Sequence, residues 1–260
     1  MFAIEPTYGR RQIFRRRTAD LHLPGIVRGL TLPLQSATFR LNGGEERPFY
    51  VETLPDEGTD WLNGYKQQPS ELRLRHQGEF CVEFPADDAA LRPGANALTL
   101  RVVCAAGTAE AEVTFDWTAE PPALPLDLSD LTGAASIQEV GQVVNGAFDL
   151  DRATNVIRSR ASVAPDALCI LGPAGQSQEA TYRVRFLEPP HSKWLGLSDF
   201  HAGMVEGVPP RGIKVGWSSA GMAVAMPTGG ARSFLAWGDH SGAEAEWAIA
   251  TNPPRSIDVR

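Results

Sequence analysis

Apolar and polar residues alternate with period two through most of the first 120 positions, the pattern of strands that bury one face. Glu79–Phe84 is the clearest case, with Phe80, Val82 and Phe84 on one side and Glu79, Cys81 and Glu83 on the other. Ala97–Cys104 places Leu98, Leu100, Val102 and Cys104 inward, and Ala111–Trp117 does the same for Val113, Phe115 and Trp117. These two runs predict a hairpin across Ala105–Glu110. Further strands are predicted at Ala37–Leu41, Pro48–Thr53 and Glu71–Arg75. Turn chemistry separates them: Asn42-Gly43-Gly44 is a tight-turn signal, and Pro93-Gly94 suits the central positions of a type II turn. About seven short strands within roughly 100 residues predict an antiparallel sandwich.

The second half repeats the pattern at Val140–Leu150, Val156–Val163, Ala167–Leu171 and Ala180–Leu187. In the last of these, Tyr182, Val184 and Phe186 alternate with Arg183 and Arg185. Trp194–Phe200, Ile213–Trp217, Met222–Met226, Phe234–Trp237 and Glu246–Thr251 follow. Hairpin turns are predicted at Asn145-Gly146, Ser218–Gly221 and Gly238–Gly242. Between the halves, Pro121, Pro122 and Pro125 favour an extended path that cannot enter a sheet interior. Four segments result: a flexible basic arm (1–18), a first sandwich (19–119), a proline-rich linker (120–133) and a second sandwich (134–260). The arm is read from Arg10, Arg11, Arg15, Arg16 and Arg17, a solvated and frayed terminus.

Composition supports many short elements, since 25 Gly and 20 Pro interrupt 260 residues without a Gly-X-Y period. A net charge of −7 argues against a dedicated nucleic-acid binder. No run of 18 apolar residues exists, so no membrane span is expected. Met1-Phe-Ala-Ile-Glu-Pro lacks the form of a secretory signal, which leaves the cytoplasm as the default location. Cys81 and Cys104 fall on outward and inward faces, a placement that cannot be bridged. Three free thiols are therefore expected, with Cys104 and Cys169 buried, in a reducing compartment.

Two resemblances follow from particular motifs. Pro24-Gly-Ile-Val-Arg-Gly29, Phe39-Arg-Leu-Asn-Gly-Gly44, Gly78-Glu-Phe80 and Leu91-Arg-Pro-Gly-Ala-Asn96, ending in a hairpin, resemble bacterial immunoglobulin-like or fibronectin type III-like modules over about residues 19–119. That resemblance implies a spacer or adhesion unit, although the antibody Cys…Trp…Cys core is absent. Glu179-Ala-Thr-Tyr-Arg-Val-Arg-Phe186 and the strands after it resemble the concanavalin A-like jelly roll of lectins, laminin-G modules and many glucanases. Such a jelly roll needs strands beyond Ser256–Arg260, so either the sandwich is small or its last strands lie past Arg260. The fold class expected is all-β, with two antiparallel β-sandwich domains.

Catalytic chemistry finds little footing. Glucanases of this fold carry a Glu-x-Asp-x-x-Glu type run, which the second half lacks. Asp149-Leu-Asp151 reads as a solvated turn. Ser218 has no Gly-x-Ser-x-Gly elbow, and Gly203–Gly207 and Gly229-Gly230 lack the Lys-Ser/Thr of a phosphate cradle. Asp199 and His201 in one loop, with Asp239 and His240 in another, have the ligand types for Zn²⁺ or Mn²⁺, but turn-stabilising Asp side chains with incidental histidines are the favoured reading. Trp217 groups with Ile213 and Val215 as core, whereas Trp194 and Trp237 lie beside loops, where flat indoles stack on sugar rings. The reading is a non-catalytic, cofactor-free protein whose second domain binds carbohydrate through Trp194, Asp199, His201, Trp237, Asp239 and His240. The alternatives are a structural or protein-interaction module, and a metal-assisted hydrolase built on Asp199/His201 and Asp239/His240.

Overall fold

The computed structural model describes residues 1–15, 20–53, 74, 76–120, 131–143 and 147–158. It describes the backbone alone of residues 144, 145 and 159 and of the strands at 167–169, 178–185, 193–198, 212–218, 221–228, 231–237, 244–252 and 256–259. The protein is all-β. The helical element among the described residues is one 3-10 turn, Ile137–Glu139, and no described helix is long and apolar enough to cross a membrane. Two compact units divide the chain, Met1–Pro173 and Ala174–Arg260.

The first unit begins with β1 (Ala3–Pro6), β2 (Arg11–Phe14), β3 (Asp20–Arg28), β4 (Leu34–Leu41), β5 (Glu46–Pro48), β6 (Glu79–Pro85), β7 (Gly94–Cys104) and β8 (Gly107–Trp117). They form a three-stranded sheet, β1-β3-β6, and a five-stranded sheet, β2-β8-β7-β4-β5. All neighbours are antiparallel except β2 and β8, which run parallel. One core joins the sheets. Leu21, Leu23, Phe80, Val82 and Phe84 from the smaller sheet meet Phe39, Leu98, Leu100, Val102, Val113 and Phe115 from the larger. Phe84 lies between Phe39 and Phe115, with ring centroids 6.2 and 6.1 Å away. Each such side chain contributes about 1.5–3 kcal/mol on leaving water.

The period-two reading holds for this core. Phe80, Val82, Phe84, Val113, Phe115, Trp117 and Cys104 are all buried where alternation put them, and Cys81 and Cys104 are free thiols. Gly94 has φ +82°, the conformation a type II turn demands of its second central residue. Asn42 and Gly43 have φ +53° and +71°, the paired left-handed residues of a tight hairpin. The β7–β8 turn is tighter than expected, because Cys104 already pairs with Gly107. Pro48–Thr53 is not one strand: β5 ends at Pro48, and Val51 bridges to Phe80 on the other sheet. Of Glu71–Arg75, only Leu74 is described, and it is buried.

The expected flexible arm is also different. Residues 3–6 and 11–14 are strands, one in each sheet, and Ile4 and Phe14 are buried in the core. Two apolar anchors outweigh the arginines here, because Arg11 projects to solvent while Phe14 packs on Phe115 at 5.2 Å. Arg15 pairs through Nε with Glu139 Oε2 at 2.7 Å.

Residues 131–159, assigned by sequence to the linker's end and the second sandwich, belong to the first unit. They include β9 (Gln142–Asn145), β10 (Phe148–Asp151) and β11 (Val156–Ser159), and β12 (Ala167–Cys169) follows. Pairing is β9 with β12 and β10 with β11, so Asn145-Gly146 does not close a hairpin between β9 and β10. Leu131, Ile137, Val140 and Val143 form a small core of their own. Tyr8 Oη accepts from the Phe148 amide at 2.9 Å, tying β10 to the N-terminal segment. Asp151 Oδ1 accepts from the amides of Ala153 and Thr154, the turn role read from sequence.

The second unit contains β13 (Gln178–Arg185), β14 (Lys193–Ser198), β15 (Gly212–Ser218), β16 (Gly221–Thr228), β17 (Ala231–Trp237), β18 (Glu244–Asn252) and β19 (Ser256–Val259). An antiparallel meander, β14-β15-β16-β17, forms one sheet, and β13-β18-β19 forms another. Ser218 pairs with Gly221, as a hairpin there requires. β17 and β18 lie in different sheets, so Gly238–Gly242 joins two sheets instead of closing a hairpin.

Candidate functional site

Trp194 and Trp237 lie within β14 and β17; Asp199, His201, Asp239 and His240 lie outside the described residues. Strand register relates these positions. Lys193, Trp217, Met222 and Trp237 are successive cross-strand partners and form one row across the four-stranded sheet. Trp194 occupies the next row, opposite Gly216. β14 runs from Lys193, in the row of Trp237, to Ser198, opposite Gly212. The end of β14 and the end of β17 thus lie at opposite ends of the four-stranded sheet.

Among the described side chains, a different cluster has ligand chemistry. Antiparallel pairing sets His22 opposite Glu83 and Pro24 opposite Cys81. His22, Glu83 and Cys81 thus share the outer face of β3 and β6, the reverse of the face that carries Leu21, Leu23, Val82 and Phe84. Each offers one ligand atom, and these atoms lie within 4.8 Å of one another. His22 Nδ1 is 2.7 Å from Glu83 Oε1. A carboxylate only accepts, so Nδ1 donates in that bond.

Exposure differs sharply across the pair: the His22 side chain is 1% accessible and that of Glu83 is 28%. Residues 138–142 bond to the backbone of His22. β1 pairs with β3 only over Gly25–Arg28, so it does not reach His22 on that side. Gln142 Oε1 accepts from the His22 amide at 2.9 Å, and Gln138 Nε2 donates to the His22 carbonyl at 3.2 Å. Two glutamine side chains thereby stand in for a neighbouring strand. Gln138 Oε1 also accepts from the Val143 amide, locking the segment to itself. The Gln142 Nε2 is buried and has no hydrogen-bond partner among the described residues.

Sequence reading had placed Cys81 and Glu83 together on the outward face but had not joined His22 to them. The missing information is the β3–β6 register, a contact across 61 residues. Elsewhere in this unit, an open depression of about 440 Å³ is lined by Leu32, Pro33, Leu34, Phe49, Tyr50, Val51 and Thr53. Leu32 and Tyr50 are exposed there. Asp151 has its carboxyl held below the usual carboxylate range, chiefly by the Thr154 hydroxyl and then by the Thr154 amide.

No protein-family model matches the chain, and no curated protein matches it. Among solved structures, the chain is similar to a mutant of Kfla1895 in complex with isomaltose, at 10% identity and a TM-score of 0.24. That likeness covers 96% of this chain and 34% of the other, so the chain spans about a third of that structure's length.

Proposed function

We propose that this is a non-catalytic binding protein in which an immunoglobulin-like first unit carries a jelly-roll-like second unit that recognises a carbohydrate. The supporting observation is the row Lys193, Trp217, Met222 and Trp237 across β14–β17. An indole such as that of Trp237 is a residue type that stacks on the face of a sugar ring. Asp239 and His240 follow Trp237 in sequence after Gly238 and are polar residue types suited to sugar hydroxyls.

Titration of the full chain against an array of oligosaccharides tests this reading. The expected result is saturable binding of at least one glycan, weakened about tenfold or more by Trp237→Ala, a loss of the order that stacked aromatics supply. The Tm should stay within a few degrees of the parent. Folded protein that binds no glycan would overturn the proposal. A second reading, docking of an apolar segment from another protein, is favoured by the exposed Leu32 and Tyr50 beside their open depression. It predicts that Tyr50→Ala weakens partner binding while Trp237→Ala does not.

A further inference from the structure

We propose that His22, Cys81 and Glu83 form a binding site for one zinc ion, independent of any carbohydrate site in the second unit. The donor set is a ring nitrogen, a thiol and a carboxylate, all first-choice zinc ligands. They come from two adjacent, hydrogen-bonded strands whose inner faces are held by the core, so their backbones are rigidly placed. Zn–N bonds near 2.1 Å and Zn–S bonds near 2.3 Å put tetrahedral ligand atoms on the order of 3.3–3.8 Å apart. The present spread, at most 4.8 Å, closes to that range by modest rotation of the partly exposed Cys81 and Glu83 side chains.

Charge favours the same ion. On binding, Cys81 releases its thiol proton to solvent, Glu83 enters as a carboxylate, and His22 ligates through Nδ1, the ring nitrogen that faces Glu83, with the ring proton passing to Nε2. The two negative ligands cancel the charge of Zn²⁺, which limits the desolvation cost beside a buried histidine. Three protein ligands leave the fourth tetrahedral position for water. Gln142 Oε1 accepts from the His22 amide and so fixes the backbone of a ligand, the supporting part that outer-sphere groups play at zinc sites.

Cobalt(II) is a spectroscopic probe for zinc and reports thiolate ligation directly. Titrating the full chain with Co²⁺ should produce a thiolate-to-cobalt charge-transfer band that saturates at a single equivalent and is abolished by added Zn²⁺. The band should disappear in Cys81→Ala and persist in Cys104→Ala. Glu83→Gln, a change at a partly exposed position that leaves the core untouched, should weaken zinc binding by about tenfold or more. Absence of the band in the parent chain, or its survival in Cys81→Ala, would overturn the site. Unaltered zinc affinity in Glu83→Gln would do so too, whether or not the cysteine variant folds.

Discussion

The two faces of β3 and β6 are held by different means. On the inner face Leu21, Leu23, Phe80, Val82 and Phe84 join a hydrocarbon core. On the outer face His22 is buried among polar groups, with Glu83 on its ring and the amides of Gln138 and Gln142 on its backbone. The first face is held by the hydrophobic effect, which is non-directional and tolerates imperfect partners. The second depends on hydrogen bonds, each of modest net worth but costly to leave unmade once its groups are buried. A sheet stabilised chiefly through one face leaves the other available for chemistry.

The difference predicts a graded response to substitution. Phe84→Ala on the inner face should have the largest effect, about 3–5 kcal/mol, read as a lower denaturant midpoint for the first unit. Gln138→Ala on the outer face removes bonds to the His22 carbonyl and Val143 amide and should cost about 1–3 kcal/mol. Its signature is local: residues 131–159 become protease-sensitive while the core strands remain resistant. An equal or larger global loss from Gln138→Ala would erase the distinction between the faces. The smallest effect belongs to Asp151, on the hairpin beyond the glutamines. Its carboxyl is lowered in the folded chain, so its contribution is present above the ordinary carboxylate range and is lost as pH falls through the lowered value. Asp151→Asn should therefore flatten the acid limb of the stability profile slightly, which thermal scans across that range would detect.

The inner face was legible because alternation depends only on neighbours in sequence. Phe80, Val82 and Phe84, or Val113, Phe115 and Trp117, declare their side through spacing alone, and Gly94 declares its turn through the φ that Pro93 leaves it to complete. The outer face was not legible, since it is made by pairs distant in the chain. Gln142 lies 120 residues from His22, and nothing around either residue names the other. For the same reason the arginines near the start read as a solvated arm although Ile4 and Phe14 anchor that segment in two sheets. Likewise, Pro121–Pro125 read as a boundary although the chain after it returns to the first unit. Local composition records where a strand ends. It does not record where the chain packs next.

Residues 138–142 cap the edge of β3 that β1 leaves uncovered at His22. Hydrogen exchange at the His22 amide reads this edge, because that N–H donates to Gln142 Oε1. The account predicts protection of this amide approaching that of the central β7 and β8 amides, with exchange accelerated in Gln142→Ala. Exchange as fast as that of an open sheet edge in the parent chain would contradict it.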